Sequence, residues 1–284
     1  MLAVNRVLSP MTSEPSATSP PFGTLLDETP HDCPYLPGRT AVLPARWYDK
    51  ALDGDQVDAL LAQADRRVGR TLYRPSCPSC QECKGLRVPV MDFTPTRSQR
   101  RVMKQNEDIE VMAGPPQSTP ERLALFNKHK LQRGLGEALS TLAHYRSWLV
   151  TSCVQTIETC YMLNGEVIGV GILDLGRHDA SSVYFYFDPD HAERSLGTFS
   201  ALAEMAWMRA QGRRYYYLGL YVAGCDHLNY KARFFPHERL VDGAWRRNHA
   251  SSPAVETADG QGPTSRRRSG PRLEPGQRCP RIRC

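Results

Sequence analysis

Residues 181–222 have the sequence SSVYFYFDPDHAERSLGTFSALAEMAWMRAQGRRYYYLGLYV. Residues 181–187 are apolar on both faces, which is typical of a central strand. In residues 199–210, apolar side chains recur at the three- and four-residue spacing of a helix, and Gly212 is placed to end it. Residues 215–222 form a second strand. This order of strand, loop, helix and strand predicts an α/β layer.

A β-hairpin precedes this stretch. Residues 159–163 and 166–174 flank Asn164-Gly165, which supplies the positive φ angles of a type I′ turn. Further upstream, Thr119 and Pro120 have the N-cap and first-turn positions of another helix. A helix nearer the N-terminus is predicted to begin at the capping pair Asp53 and Gln56 and to run to Gly69.

These elements divide the chain of 284 residues into four parts. Two tails, residues 1–28 and 250–284, hold few large apolar side chains and are predicted to be disordered. Between them we predict an N-terminal cysteine-containing domain, residues 29–114, and an α/β domain, residues 115–249. The overall class is α/β, or α+β.

The composition limits the class of protein. No window approaches the roughly 20 apolar residues that span a bilayer, so we expect no membrane partner and a cytoplasmic location. The formal net charge is +6, but the seven arginines and three acids from Ala250 onward account for +4 of it. Bulk charge is therefore a weak argument for nucleic-acid binding, which has to be argued from local patterns.

Cysteines cluster in the first domain. Cys77, Cys80 and Cys83 are separated by two C-x-x-C steps, and Cys33 is the natural fourth ligand. In a reducing compartment such a group predicts a tetrahedral zinc site or an iron-sulfur cluster, and the alternative is thiols that bind no metal.

A basic stripe is predicted near the end of the N-terminal domain. If residues from Thr96 onward are helical, four cations fall on one face: Arg97, Arg100, Arg101 and Lys104. Like charges so arranged repel each other unless an anion such as RNA phosphate neutralises them, and the alternative is a solvated face.

Two further segments have the composition of anion sites. Arg194 and Gly197 precede the helix of residues 199–210, where helix-start amides favour a phosphate; the alternative is an ordinary strand-to-helix connection. Tyr230, Lys231 and Arg233 combine cations with aromatic side chains, and the cations have the charge to bind a substrate carboxylate. The alternative is a surface pair.

Six motifs together resemble the bacterial leucyl-tRNA-protein transferases, relatives of the eukaryotic arginyltransferases. The motifs are CPYLPGRT (33–40), YRP (73–75) with its following cysteines, TRSQRR (96–101), SSVYFYFDPD (181–190), SLGTFSAL (195–202) and YKARF (230–234). The resemblance implies an N-acetyltransferase-like (GNAT-like) domain in which aminoacyl-tRNA replaces acetyl-CoA. It also implies transfer of leucine to proteins that begin with Asp or Glu, which marks them for degradation.

Three residues are candidates for the chemical step. Asp174 is predicted to orient or deprotonate the acceptor amine, Tyr221 to donate to the oxyanion or leaving oxygen, and His191 to shuttle a proton. Structural roles are the alternative for each. Competing functions are a GNAT-type acetyltransferase that uses acetyl-CoA and a metal-stabilised RNA-binding module.

Overall fold

The first part of the chain holds six short strands and one helix in the computed structural model, which describes residues 23–249. They are β1 (Thr24–Asp27), β2 (His31–Asp32), β3 (Thr40–Ala41), β4 (Ala45–Trp47), α1 (Gly54–Ala62), β5 (Arg66–Val68) and β6 (Thr71–Tyr73). A four-stranded sheet has the order β1-β4-β6-β5, and β2 pairs with β3.

The predicted N-terminal extension differs from the structure at its end. Residues 24–27 form β1, which pairs antiparallel with β4, so ladder hydrogen bonds order a segment that has little apolar surface to bury. The predictions of disorder for residues 1–22 and 250–284 lie outside the described residues.

Helix α1 begins as predicted and ends early. Asp53 and Gln56 form the capping box. The helix ends at Ala62, and Ala64 turns the chain with φ of 64°. The prediction that it runs to Gly69 is wrong, because residues 66–68 pair with β6 instead, and Gly69, with φ of 58°, lies in the turn between β5 and β6.

The remaining elements build one large sheet and its covering helices. They are β7 (Lys84–Pro89), α2 (Arg97–Gln105), β8 (Glu110–Gly114), α3 (Pro120–Gln132), α4 (Leu142–Tyr145), β9 (Gln155–Leu163), β10 (Glu166–Leu175), β11 (Ala180–Phe187), α5 (Leu196–Ala210), β12 (Tyr215–Tyr221), α6 (Asp226–Asn229), β13 (His237–Val241) and β14 (Ala244–Asn248). The sheet order is β14-β13-β7-β12-β11-β10-β9-β8.

This sheet crosses the predicted domain boundary at residues 114 and 115. Strand β7 lies between β12 and β13, and β8 pairs with β9, although both come from the predicted first domain. The physical reason is that the edges of β12 and β9 need hydrogen-bond partners, and sequence distance does not limit which strand supplies them.

The α/β class and the local features around β11 are confirmed. Asn164 and Gly165 have φ of 52° and 83° at the β9–β10 turn. Thr119 caps α3 with Pro120 in its first turn. Strand β11, a loop, α5 and β12 follow in the predicted order, with β11 and β12 parallel. This is the strand-helix-strand layer expected of a GNAT-like domain.

The sheet is covered on both faces. Helix α5 packs over residues of β7, β10 and β12 in one apolar cluster, and α3 and α4 pack against β10 and β11 in another. Helix α1 joins Tyr217 of β12 in a third cluster. The parallel strands β11 and β12 are therefore the two middle strands of the sheet, and helices from different parts of residues 23–249 pack around them.

Candidate active site

The sheet opens between β11 and β12. The two strands pair only at Ala180 with Tyr216 and at Ser181 with Tyr217. Strand β11 stays paired with β10 as far as Phe187, so the separation affects only its edge toward β12. A sheet that parts in this way leaves backbone groups on two facing edges in need of partners. We call this gap the β11–β12 opening.

Arg66 of β5 occupies the β11 side of the opening. Its guanidinium donates to the carbonyl oxygens of Ser182 and Val183 at 2.9 and 3.2 Å, and to Ser181 Oγ at 3.3 Å. Gly219 of β12, with φ of 85°, provides the space, because a Cβ there would lie 2.6 Å from Arg66 Cζ. Sequence reasoning missed Arg66, since nothing local distinguishes it from other arginines.

Lys231 occupies the β12 side. Its ammonium donates to the Leu220 carbonyl at 2.9 Å, and only 8% of the residue is exposed. Burial and the nearby charge of Arg66 lower the pKa of Lys231 to about 7. Of the predicted acceptor-binding residues, Lys231 therefore faces the opening most directly.

The two other predicted acceptor-binding residues lie close by in the chain but differ in environment. Tyr230 is 37% exposed, yet burial of its hydroxyl and the charge of Glu204 raise its pKa. Arg233 is exposed, and its carbonyl oxygen accepts a hydrogen bond from Gln99 of α2 at 3.2 Å. The structure thus divides the predicted group into an interior part and a surface part.

Asp174 is held in a buried ion pair. Arg67 Nε donates to both carboxylate oxygens, at 2.9 and 2.7 Å, and Thr156 Oγ1 donates to one of them at 2.8 Å. Asp174 is 4% exposed. A buried carboxylate with both oxygens bonded inside the protein is not placed to contact an acceptor amine, so the geometry corrects the catalytic prediction and favours the structural alternative.

The two remaining catalytic candidates lie on different elements. Tyr221 ends β12 where this strand has left β11; its ring packs against the α5 cluster, with the Arg239 guanidinium 3.9 Å from its centroid. His191 is half-buried on the 3-10 segment Pro189–Arg194. Neither is brought into hydrogen-bond contact with Asp174.

Helix α2 carries the predicted basic stripe. Thr96 and Gln99 form the capping box, as expected. The four cations of the stripe are exposed, and none forms a salt bridge within residues 23–249: Arg97, Arg100, Arg101 and Lys104. Gln99, in contrast, is buried and ties α2 to the 3-10 turn Tyr230–Arg233. The basic face is therefore held beside the segment that carries Lys231.

The start of α5 keeps some of its predicted features. Ser195 adopts a left-handed conformation, and no side chain caps the helix. A Cβ at Gly197 would meet open space. Arg194, however, donates to both carboxylate oxygens of Asp108, at 2.8 and 3.0 Å. Its guanidinium is engaged in this ion pair, which corrects the prediction that Arg194 faces a phosphate.

The four predicted metal-binding cysteines line one cavity. Burial and the charges of the other three raise the pKa of Cys83 to about 12. Amides of Leu36 and Val42 donate to Cys33 Sγ and Cys77 Sγ at 3.3 and 3.5 Å, and Arg39 donates to Cys80 Sγ at 3.3 Å. Within residues 23–249, no three Cys, His or acidic side chains already have metal-ligand spacing.

Glu204 of α5 is a second residue that sequence reasoning missed. It is 2% exposed and accepts hydrogen bonds from Thr159 and Tyr161 at 3.1 Å each, and from Tyr216. Burial raises the pKa of Glu204 to about 7. A glutamate in the apolar run ALAEMAW (201–207) was the available signal, because acids are rarely buried without partners.

Comparisons with known proteins give a consistent result. The family model described as "Arginine-tRNA-protein transferase, N terminus" matches residues 31–101, and its C-terminus counterpart matches residues 121–241. A protein of Aeromonas hydrophila named aspartate/glutamate leucyltransferase is 34% identical over 218 residues, which cover 76% of this chain and 91% of the relative. A protein of the same name from Chromohalobacter salexigens is 36% identical, with 77% and 90% covered.

Among solved structures, that of FemX is similar to this chain, with 8% sequence identity, a TM-score of 0.39 and 63% of each chain covered. No helix among the described residues combines the length and the apolar character needed to cross a bilayer.

Proposed function

The chain belongs to the arginine-tRNA-protein transferase family and is an aminoacyltransferase, and from this premise we propose its substrates. The donor is leucyl-tRNA. The acceptors are proteins that begin with aspartate or glutamate, and the relatives' name, aspartate/glutamate leucyltransferase, supports leucine as the transferred group and these two residues as its acceptors. The added leucine marks the acceptor for degradation in the cytoplasm.

The observation that carries this proposal is the β11–β12 opening with its positively charged lining. Lys231 and Arg66 lie on its two sides, and the exposed cations of α2, which form no salt bridge within residues 23–249, lie beside the segment that holds Lys231. The buried Lys231 and the half-buried Arg66 suit the acidic side chain of the acceptor, and surface cations suit the phosphates of tRNA. One enzyme thus has separate sites for its two anionic substrates.

The main contribution of the protein to the reaction is to position the two substrates. The acceptor α-amine has a pKa of about 8, so about a tenth is free base at neutral pH. Its nitrogen attacks the ester carbonyl carbon of leucyl-tRNA, the amide bond forms, and the ester C–O bond breaks. The proton lost by the amine ends on the ribose hydroxyl that leaves. Holding the two groups together supplies most of the acceleration.

Individual roles follow from position. Tyr221, at the end of β12 beyond the point where this strand leaves β11, is our candidate donor to the oxyanion, and His191 is our candidate proton shuttle. Lys231, Arg233 and Tyr230 are the proposed readers of the acidic acceptor. A Lys231→Ala, Arg233→Ala double mutant should lose activity toward acceptors that begin with Asp or Glu. Activity equal to wild type would remove that role.

The decisive experiment supplies the purified protein with radiolabelled leucyl-tRNA or arginyl-tRNA and with peptides that begin with Asp, Glu, Lys or Ala. We expect label from leucyl-tRNA to reach only the Asp and Glu peptides. Transfer of label from arginyl-tRNA and not from leucyl-tRNA would show that the donor is arginyl-tRNA. No transfer, together with acetylation from acetyl-CoA or with RNA binding alone, would support the competing functions.

We further propose that Cys33, Cys77, Cys80 and Cys83 hold zinc or an iron-sulfur cluster. Four thiols around one cavity, with N–H groups directed at three of the sulfur atoms, fit a soft metal centre. Binding would draw the four thiols together and so hold the loops of residues 33–42 and 77–83 in place. No catalytic step depends on this centre.

A further inference from the structure

The two edges of the β11–β12 opening are satisfied by cations from distant parts of the chain. The backbone groups concerned are the carbonyl oxygens of Ser182 and Val183 on β11 and of Leu220 on β12. Here Arg66 bonds the first two, and Lys231 bonds the third. The opening is therefore held apart by side chains that each bring a positive charge into a partly buried space.

These charges have no acidic partner within residues 23–249. The influences on Lys231 are burial, Arg66 and Cys225, and none is a carboxylate. The neighbouring residue of β5 provides the contrast, because Arg67 is paired with Asp174 at 2.7 Å. Buried charge is costly unless an opposite charge compensates it. Two such cations in one gap therefore leave a place for an anion that the described chain does not supply.

The chemistry of the reaction selects that anion. The leucyl group of the donor carries an ammonium, which two cations repel, and its ester carries no charge. The donor phosphates belong to a polyanion that suits the exposed cations of α2. The acceptor side chain offers a single small carboxylate, which matches a partly buried site with a planar guanidinium fork and an ammonium.

We propose that Arg66, together with Lys231, binds the side-chain carboxylate of the acceptor and is a specificity-determining residue. This inference rests on the proposed function and deepens it. It makes the N-terminal part of the chain a direct contributor to acceptor selection, since β5 precedes the whole GNAT-like layer. The Arg66 guanidinium lies so close to Gly219 of β12 that a Cβ there would be 2.6 Å from Arg66 Cζ, so the side chain reaches both strands of the opening.

The test compares Arg66→Gln with wild type in leucine transfer to an Asp-initiated peptide. Glutamine keeps a donor for the β11 carbonyls and removes the charge. We expect KM for the peptide to rise about 10- to 100-fold, because the variant lacks the charge-assisted hydrogen bond to the acceptor carboxylate. The Kd for leucyl-tRNA should stay near the wild-type value, and the melting temperature shows whether the variant is folded.

Arg70→Gln is the matched control. Arg70 also donates its guanidinium to backbone carbonyls, of Tyr48 and Ser152, but outside the opening. The KM of the Arg70→Gln variant for the peptide should stay within about twofold of the wild-type value. If Arg66→Gln leaves KM unchanged, or changes the Kd for leucyl-tRNA as strongly as KM, the inference is wrong. A wild type that transfers no leucine would instead overturn the proposed function.

A second variant keeps the inference testable if Arg66→Gln does not fold. Ser181 Oγ already contacts the Arg66 guanidinium, so Ser181→Asp places a carboxylate of the protein beside it. This internal anion should compete with the acceptor and raise KM for Asp- and Glu-initiated peptides; because Ser181 is buried, the melting temperature is measured to verify that the variant is folded. Unchanged KM in a folded Ser181→Asp protein would contradict the role of Arg66.

Discussion

Arg66 and Arg67 are neighbours on one short strand, but they meet opposite environments. Arg67 finds a carboxylate and closes a buried ion pair with Asp174, whereas Arg66 finds only carbonyl and hydroxyl oxygens. A paired arginine is a structural element, and an arginine without an anion is available to a ligand. At the residue scale, two arginines in adjacent positions therefore have different roles, and the difference comes from the groups that each one contacts.

Lys231 gives the reaction a predicted pH dependence. Its pKa of about 7 is set by burial and by Arg66, and Cys225 opposes the shift. Lys231 is protonated below this pKa, and its ability to bind a carboxylate is lost as pH rises through it. The kcat/KM ratio of an Asp-initiated to an Asn-initiated peptide should therefore fall between pH 6 and 9.

Ionisation of the acceptor amine changes kcat/KM for both peptides alike, so its effect cancels in the ratio. Lys231→Arg is the control, because a guanidinium stays charged over this range and its ratio should be flat. A ratio independent of pH in the wild type would argue against a titrating Lys231 at the acceptor site.

Asp174 makes a second residue-scale prediction, on stability. Asp174→Asn leaves the buried Arg67 without a counter-charge, so the free energy of unfolding should fall by about 3 to 5 kcal/mol. Asp55→Asn is the matched control: its partner is Arg177, and both side chains are more than half exposed, so the change should be below about 1 kcal/mol. Denaturant unfolding measures both. Equal effects in the two variants would show that burial of the Arg67–Asp174 pair is not the cause.

At the element scale, α2 separates a packing face from a binding face. Buried Gln99 anchors the helix to the turn that holds Lys231, and the cations face solvent. The capping box at Thr96 holds the helix start despite two arginines in its first half, which oppose the helix dipole. A helix that keeps such a charge pattern is suited to a polyanion.

Salt dependence tests that face. Arg101→Gln with Lys104→Gln should weaken leucyl-tRNA binding and reduce the slope of log Kd against log salt by about 0.7 to 0.9 for each phosphate that the variant no longer neutralises. Lys50→Gln with Arg246→Gln removes two exposed cations elsewhere and should leave the slope unchanged. Binding curves at a series of salt concentrations measure the slopes. Parallel lines for wild type and the α2 variant would place the tRNA on another surface.

At the scale of the whole molecule, the N-terminal region and the GNAT-like layer are one structure. Strand β7 is inserted between β12 and β13, and β5 delivers Arg66 to the opening. The cysteine cavity is close to the Arg66 site, and Tyr35 lies near both. Burial is the main cause of the raised pKa of Tyr35, and the charges of Cys83 and Arg66 also affect this pKa. Substitution of the cavity cysteines should therefore destabilise the N-terminal region as a whole.

Metal content and melting temperature test this expectation. Cys77→Ser should reduce bound zinc or iron, measured by elemental analysis, and lower the melting temperature, because metal binding contributes to folding. Cys160→Ser is the control: its sulfur accepts a hydrogen bond from Arg122 at 3.4 Å and lies on β9, so metal content should not change. A wild-type protein that holds no zinc or iron after expression in metal-supplemented medium would refute the metal proposal.

The sequence alone was sufficient for features that depend on near neighbours. The capping boxes of α1 and α2, the Asn164-Gly165 turn and the order of β11, α5 and β12 each follow from a few consecutive residues. The basic stripe on α2 followed in the same way. These signals are local because caps, turns and helical faces are made within one or two turns of backbone.

The tertiary structure alone decided how distant segments meet. It showed that α1 ends before β5, that one sheet crosses the predicted domain boundary, and that Asp174 and Arg194 are held by Arg67 and Asp108. It also placed Arg66 and Lys231, which are 165 positions apart in the chain, on the two sides of the same opening. Strand pairing and ion pairing depend on which groups are close in space, and no periodicity along the chain encodes that distance.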